Sequence, residues 1–226
     1  LYESEGILGQ VKVIERYYKK GEIYKPYREL LVNNICQTMM DIENPEKSYW
    51  DYVNILADNI NHYKKGNKAL LLGLGGGTLY KKLKQNDLNI DVVEIDKRIA
   101  TIAKEFFFIE NDLNVAVDDA RHYINTTSEK YDVIIYDLYH SETPPIHLMT
   151  VEAFEEIKSI LNTDGLLIIN FYGYTNGNKG KGARSIYKTL KESNFNTHLI
   201  ATPGLESQRN LLFINSPSVL TKSNNT

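Results

Sequence analysis

The chain has 226 residues, of which 42% are hydrophobic and 24% charged, and its formal net charge is -3 at pH 7. This length suits one α/β domain with a small appendage, and the composition excludes wholesale disorder. The mildly acidic balance argues against a nucleic-acid-binding protein, and no apolar run approaches the roughly 18 residues of a membrane span. The single cysteine, Cys36, excludes a disulfide framework and fits a reducing compartment, so we predict a cytoplasmic protein without membrane contact.

The first 47 residues read as a small β-hairpin domain. Two β-like runs, Gly9–Glu15 and Tyr27–Met40, are separated by a polar stretch. A helix over Tyr49–His62 follows, with apolar residues at helical spacing and Ser48 as its expected N-cap. The chain begins with Leu1, so we expect it to be part of a longer protein, such as one with a membrane anchor.

Residues 48–215 alternate short apolar runs with helical patterns. The predicted strands are Ala69–Gly73, Asp91–Ile95, Leu113–Val117, Asp132–Asp137, Leu166–Phe171, Phe195–Ala201 and Asn210–Asn215. The predicted helices are Thr78–Gln85, Lys97–Phe106, Val151–Leu161 and Ala183–Glu192. Buried strands spaced by helices are typical of a mostly parallel sheet with helices on both faces, here closed by an antiparallel hairpin. The polar residues 216–226 read as a flexible tail.

A glycine-rich turn, Gly73–Thr78, follows the first buried strand of this region. Glycines at such a turn let the backbone approach a ligand closely, although glycine turns after strands also serve plain packing. The turn lacks a clean G-x-G-x-x-G pattern, which argues against a nicotinamide dinucleotide.

Acidic residues end the next two strands. Glu94 lies about 20 residues beyond the turn, where a carboxylate can take the ribose hydroxyls of an adenosyl group. Asp96 is better explained as the N-cap of the helix that begins at Lys97. Asp119 and Ala120 follow the third strand, where Asp119 can accept a hydrogen bond from an adenine amino group. The pattern therefore favours a nucleoside held without phosphates, such as S-adenosylmethionine or a relative of it.

The fourth strand ends in Asp137, which would lie beside the group that the cofactor donates. A carboxylate there can orient or deprotonate an amine nucleophile; the alternative is an aspartate that caps the loop. The five histidines have no metal-ligand spacing, so no metal is predicted. Of these histidines, His140 is the candidate for the site, because it lies three residues after Asp137.

These features together resemble the spermidine/spermine synthase family of polyamine aminopropyltransferases, particularly divergent bacterial members that are often joined to membrane segments. The resemblance rests on the N-terminal hairpins ending in Ile35–Asp41, on the helix start at Ser48 and Tyr49, on Gly73–Thr78, on the strand-end acids and on the Pro-x-His-Leu-x-Thr run after Asp137. It implies a Rossmann-like, methyltransferase-type fold and a homodimer. The implied reaction moves the aminopropyl group of decarboxylated S-adenosylmethionine to putrescine or a related polyamine, and methylthioadenosine is the by-product.

The resemblance also implies a role for individual residues. Asp137 resembles the catalytic acid, and Tyr49 resembles a tyrosine of the amine pocket, to which we add Tyr139 and His140. The implied cofactor-binding residues are Gln37, Gly73, Gly75, Glu94, Asp119 and Ala120.

Two positions depart from the family pattern. Gly76 stands where the synthases carry an aspartate that holds the donor's amine, and His140 stands where they carry a second aspartate. Two alternatives therefore stay open: a small-molecule methyltransferase that uses intact S-adenosylmethionine, and a non-catalytic cofactor-binding domain of a larger protein.

Overall fold

The computed structural model describes residues 1–20, 23–138 and 145–220 and contains two β-sheets. The strands are β1 Tyr2–Gly6, β2 Gly9–Lys20, β3 Ile23–Val32, β4 Ile35–Asp41, β5 Lys68–Leu72, β6 Asn89–Glu94, β7 Val115–Val117, β8 Tyr131–Tyr136, β9 Leu161–Tyr172, β10 Asn196–Ala201 and β11 Asn210–Ser216. The α-helices are α1 Asp51–Tyr63, α2 Thr78–Lys84, α3 Lys97–Phe107, α4 Ala120–Thr126, α5 Val151–Ile160 and α6 Lys181–Glu192.

The N-terminal sheet consists of β1 to β4 in sequential antiparallel order. The prediction of one run over Tyr27–Met40 was wrong, because a turn at Asn33 and Asn34 divides it into β3 and β4. Both asparagines have positive φ angles, 51° and 63°, which asparagine tolerates and which suit a tight hairpin turn. Strand β1 was not predicted.

Helix α1 begins at Asp51, two residues later than predicted, and the expected N-cap was wrong. Trp50 occupies the N-cap position without a side-chain cap. The Ser48 hydroxyl instead accepts a hydrogen bond from the Trp50 amide at 3.1 Å and donates to the Trp50 carbonyl at 2.8 Å. Ser48 therefore stabilises the turn before the helix.

The second sheet has seven strands in the order β10-β11-β9-β8-β5-β6-β7. Strands β9, β8, β5, β6 and β7 are parallel, and β10 and β11 form the predicted antiparallel hairpin at one end. This topology confirms the predicted fold class. Helix α4 was not predicted; it is only seven residues long, so it offers little helical periodicity.

Alternate residues of the central strands belong to two hydrophobic cores, one on each face of the large sheet. Leu71 and Val133 pack on the side of α1 and α2, whereas Leu70 and Ile134 pack on the side of α4, α5 and α6. Burial on both faces explains why these strands are apolar throughout.

A third apolar cluster joins the N-terminal sheet to α3. It contains Val13 and Leu30 from the sheet together with Ile102 and Phe107 from the helix. The guanidinium group of Arg98 reinforces this contact, because it donates to the Gly9 carbonyl at 3.1 Å and to the Ser4 hydroxyl at 3.2 Å. The N-terminal sheet is therefore fixed against the large one.

Among the described residues, none of the helices has the length and apolar character required to cross a lipid bilayer.

We expect Leu30→Ala to lower the free energy of unfolding by about 2–5 kcal/mol, because Leu30 is fully buried between the sheet and α3. Ile7→Ala is the control, since Ile7 is fully exposed in the β1–β2 turn and its truncation should change stability by less than about 0.5 kcal/mol. Urea denaturation of both variants gives the comparison. Equal stabilities would contradict this account of the interface.

Candidate active site

The candidate site lies at the carboxyl ends of β8, β5 and β6, which are neighbours in the large sheet. The Asp137 amide donates to the Leu72 carbonyl at 3.0 Å, and the Gly73 amide donates to the Val93 carbonyl at 2.8 Å. These bonds extend the sheet one residue past each strand. They place the glycine turn between the residues that follow β8 and those that end β6.

The turn requires glycine at position 73. Gly73 has a φ of 90°, and a Cβ built on it would lie 2.3 Å from the carbonyl oxygen of Asp137. Gly75 and Gly77 also have positive φ angles, 53° and 77°. Close packing between the turn and Asp137 therefore depends on the missing side chain of Gly73.

Glu94 holds the turn from the β6 side. It is 8% exposed, and its carboxylate accepts hydrogen bonds from the amides of Leu74 and Asp96, both at 3.0 Å. Burial raises the pKa of Glu94, while the bonds from the amides of Asp96, Leu74 and Gly75 oppose that rise. The Glu94 carboxylate therefore faces the glycine turn, beside which an adenosyl ligand would bind.

The acids after β6 and β7 both cap helices. Asp96 caps α3 through the Arg98 amide, as predicted. Asp119 caps α4, because one of its oxygens accepts from the amides of Arg121 and His122. Its other oxygen lies 3.6 Å from the His147 ring and stays accessible, while Ala120 is buried beside it.

Among the described residues, two neutral side chains donate hydrogen bonds to Asp137. The Tyr52 hydroxyl donates to Oδ2 at 3.1 Å, and the Asn170 amide donates to Oδ1 at 2.7 Å. Asn170 is itself 2% exposed and accepts from Asn210 at 2.8 Å. Burial raises the pKa of Asp137, and the bonds from Asn170 and Tyr52 lower it. Tyr52 and Asn170 thus orient the Asp137 carboxylate, and neither of them carries a positive charge.

Sequence reasoning missed Tyr52 and Asn170. Tyr49, the predicted pocket tyrosine, is 53% exposed and packs edge-to-face against Tyr27 at 5.8 Å and Trp50 at 5.1 Å. Tyr52 lies three residues further along, and the structure places that tyrosine against Asp137. The helical pattern around α1 contained Tyr52, but it did not distinguish the two tyrosines.

Gln37 lies at an irregularity of the N-terminal sheet. Leu30 pairs with Thr38 and Leu31 pairs with Cys36, so Gln37 is the extra residue of a β-bulge in β4. Bulges redirect side chains and are frequent beside active sites. The neighbouring Thr38 reaches the glycine turn, where its hydroxyl oxygen accepts the Gly76 amide at 2.9 Å.

The Thr38 contact also explains the glycine at position 76. A Cβ built on Gly76 would lie 2.6 Å from Thr38 Cγ2 and 3.0 Å from Phe107. The aspartate that the synthases carry here could not enter this chain unless Thr38 moved.

Two of the predicted substrate-pocket residues, Tyr139 and His140, lie outside the described residues. Within the described part of the chain, no group of three or more His, Cys, Asp or Glu residues is arranged to hold a metal ion.

Comparison with known proteins gives consistent matches. Residues 52–203, more than half of the chain, match the family model of the spermine/spermidine synthase domain. A probable polyamine aminopropyl transferase of Bifidobacterium longum is 36% identical over 124 residues, which cover 54% of this chain and 26% of that protein. A polyamine aminopropyltransferase of Vibrio vulnificus is 33% identical over 134 residues, covering 56% of this chain and 45% of that protein. The chain thus covers less than half the length of these two relatives.

Similarity to a solved structure extends over the whole chain. A probable spermidine synthase from Corynebacterium glutamicum superposes with a TM-score of 0.77 at 21% identity, covering 100% of this chain and 83% of that chain. At this level of identity the match establishes the fold, including the N-terminal sheet.

We expect Gly73→Ala to destabilise the protein by more than about 3 kcal/mol, since it combines a positive φ with a Cβ collision against Asp137. Gly204→Ala is a matched control: its φ is 110°, but nothing lies within 4 Å of a Cβ there, so only the smaller backbone cost of about 1 kcal/mol applies. Thermal and urea unfolding compare the two. A Gly73 variant no less stable than the Gly204 variant would refute the proposed close approach.

Proposed function

The chain belongs to the spermine/spermidine synthase family, and from this premise we propose that it transfers an aminopropyl group from decarboxylated S-adenosylmethionine to a polyamine such as putrescine. The observation that carries the proposal is the Asp137 carboxylate, held by Tyr52 and Asn170 beside the glycine turn. The names of the two polyamine aminopropyltransferase relatives support the same reaction.

The reaction assigns a proton-accepting role to Asp137. An amine substrate is protonated near neutral pH and must lose a proton before its nitrogen can attack. The nitrogen then bonds to the aminopropyl carbon next to sulfur, the carbon–sulfur bond breaks, and methylthioadenosine leaves with the bond's electron pair. Asp137 accepts or relays the proton of the attacking nitrogen. Burial, which raises the pKa of Asp137, makes it a better base than an exposed aspartate.

The cofactor roles follow the geometry of the strand ends. We assign the ribose hydroxyls to Glu94, the adenine to Asp119 and Ala120, and the donor chain to Gly73, Gly75 and Gln37. Glu94 ends β6 and Asp119 follows β7, the neighbouring strand, so both lie at the same sheet edge, as an elongated nucleoside requires. Tyr49, Tyr139 and His140 stay predictions for the amine pocket, and a homodimer stays a prediction for the assembly.

A methyltransferase is the second candidate, because Gly76 supplies no acid for the donor's amine and Thr38 leaves no room for one. The two reactions differ in their by-products. Aminopropyl transfer releases methylthioadenosine, whereas methyl transfer releases S-adenosylhomocysteine, so chromatography of the nucleoside product separates them.

We expect Asp137→Asn to lower kcat for methylthioadenosine release at least about 100-fold, because the amide cannot accept the proton. The assay supplies decarboxylated S-adenosylmethionine with a panel of di- and triamines. Asp87→Asn, a change in an exposed turn residue with a φ of 56°, should retain full activity. Absence of methylthioadenosine with every amine would overturn aminopropyl transfer, and an active Asp137→Asn enzyme would overturn the role of Asp137.

We expect Tyr52→Phe to move the acidic limb of the pH–activity profile to higher pH by about one pH unit. A shift of this size corresponds to the free energy of about one hydrogen bond. The Tyr52 hydroxyl lowers the pKa of Asp137, so its removal raises that pKa. The base acts only when ionised, so activity then appears at higher pH. Tyr123→Phe, which removes a hydroxyl bonded to Tyr131 and not to Asp137, is the control. An unmoved acidic limb would contradict this role of Tyr52.

A further inference from the structure

A cleft of about 630 Å³ opens at the amino ends of β5, β6 and β7, the edge of the large sheet opposite the candidate active site. Lys68 begins β5, Asn89 begins β6 and Asn114 precedes β7, and all three line the cleft. Its walls include Tyr80 of α2 and Tyr123 of α4. Small-molecule sites commonly have volumes of about 300–1,000 Å³. The cleft therefore has the size of a ligand site, and it lies apart from the described residues assigned to the reaction.

Tyr80 is a buried side chain with an unused polar group. It is 4% exposed, yet its hydroxyl has no hydrogen-bond partner in the described part of the chain. Buried tyrosine hydroxyls usually have one. Burial raises the pKa of Tyr80, and the charges of Glu110 and Asp112, which also line the cleft, raise it further. The hydroxyl is therefore neutral and lies near these two carboxylates, where it can bond to a ligand in the cleft.

Negative charge predominates among the side chains that line the cleft. They carry four carboxylates and two ammonium groups. One ammonium group, that of Lys68, is paired with Glu129 and lies 5.4 Å from the centroid of the Tyr131 ring. The other belongs to Lys84, which is exposed at the end of α2. Besides Lys84, the pairing leaves three carboxylates, those of Asp91, Glu110 and Asp112.

These three acids are spread along the cleft. Asp91 lies on β6 and accepts a hydrogen bond from the Tyr131 hydroxyl at 2.9 Å, whereas Glu110 and Asp112 are exposed between α3 and β7. Glu110 and Asp112 form no ion pair with any residue that the structure describes. Nor are three or more acids of the described chain arranged to hold a metal ion. A divalent metal needs several oxygens within about 2.6 Å, so carboxylates spread in this way suit a ligand with several positive groups.

We propose that the cleft is a second ligand site, which binds a linear aliphatic polyammonium between the Tyr80 hydroxyl and the three carboxylates. Ammonium groups supply donors to the carboxylates and to the hydroxyl oxygen. The methylene chain between them can lie against apolar residues of the cleft such as Leu88 and Leu113. The site does not depend on the reaction at the opposite edge of the sheet.

Fluorine NMR of protein labelled with fluorotyrosine gives a local measurement, because the resonance missing from Tyr80→Phe is that of Tyr80. Spermidine is the probe, and we expect it to shift the Tyr80 resonance in a saturable titration. Glu110→Gln/Asp112→Asn removes two exposed carboxylates of the cleft and should raise the dissociation constant at least about fivefold. Glu155→Gln/Glu192→Gln removes the same charge from α5 and α6, so this matched control should leave the dissociation constant unchanged.

Asp137→Asn separates the cleft from the active site. It should leave the Tyr80 titration unchanged, and loss of the shift in that variant would overturn the cleft site. An unshifted Tyr80 resonance in the wild-type protein, an unchanged dissociation constant in Glu110→Gln/Asp112→Asn, or an equal rise in the control would also overturn it. An equal shift with Mg²⁺ at the same concentration and ionic strength would overturn the choice of a polyammonium.

Methylthioadenosine release by the wild-type protein is assayed in parallel. Release without a Tyr80 shift contradicts the cleft site alone, whereas a Tyr80 shift without release supports the cleft site and contradicts aminopropyl transfer.

Discussion

The close approach of Gly73 to Asp137 is the constraint on which the candidate site depends. Strands β5 and β8 are adjacent and parallel, so the residues after them emerge side by side. Only a residue without a side chain can sit there, because a Cβ on Gly73 would collide with the Asp137 carbonyl. This contact sets the Asp137 carboxylate beside the glycine turn, and Glu94 then holds the same turn from β6.

The N-terminal sheet is part of this site rather than an addition to it. Its β4 strand supplies Thr38 to the glycine turn, and the bulge at Gln37 directly precedes that contact. The apolar cluster around Leu30 and the bonds of Arg98 keep the sheet in place on α3. A loss of packing in that cluster would therefore reach the glycine turn through Thr38.

The sequence predicts the parts of this site that are local in the chain. The glycine turn, Glu94 and Asp137 each follow a buried strand, and strand-end residues of a parallel sheet share one edge regardless of the details of packing. Tyr52, Asn170 and Thr38 were not predicted, because their roles come from contacts across 85, 33 and 38 residues. Periodicity also placed Tyr49 and Tyr52 on the same helix without saying which of them meets Asp137. Only the position of α1 against the sheet decides that.

The partners of the acids at this edge distinguish Asp137 from Asp96 and Glu94. Asp96 pairs with the Arg98 guanidinium at 2.6 Å, which compensates its charge. Glu94 is bonded to backbone amides on both oxygens, so it is fixed as part of the turn. The hydrogen bonds described for Asp137 come from neutral side chains, which orient the carboxylate without compensating its charge. In the proposed reaction, an ammonium substrate that entered beside Asp137 would meet a carboxylate whose described partners carry no positive charge, and the attraction would hold the nitrogen against the group proposed to take its proton.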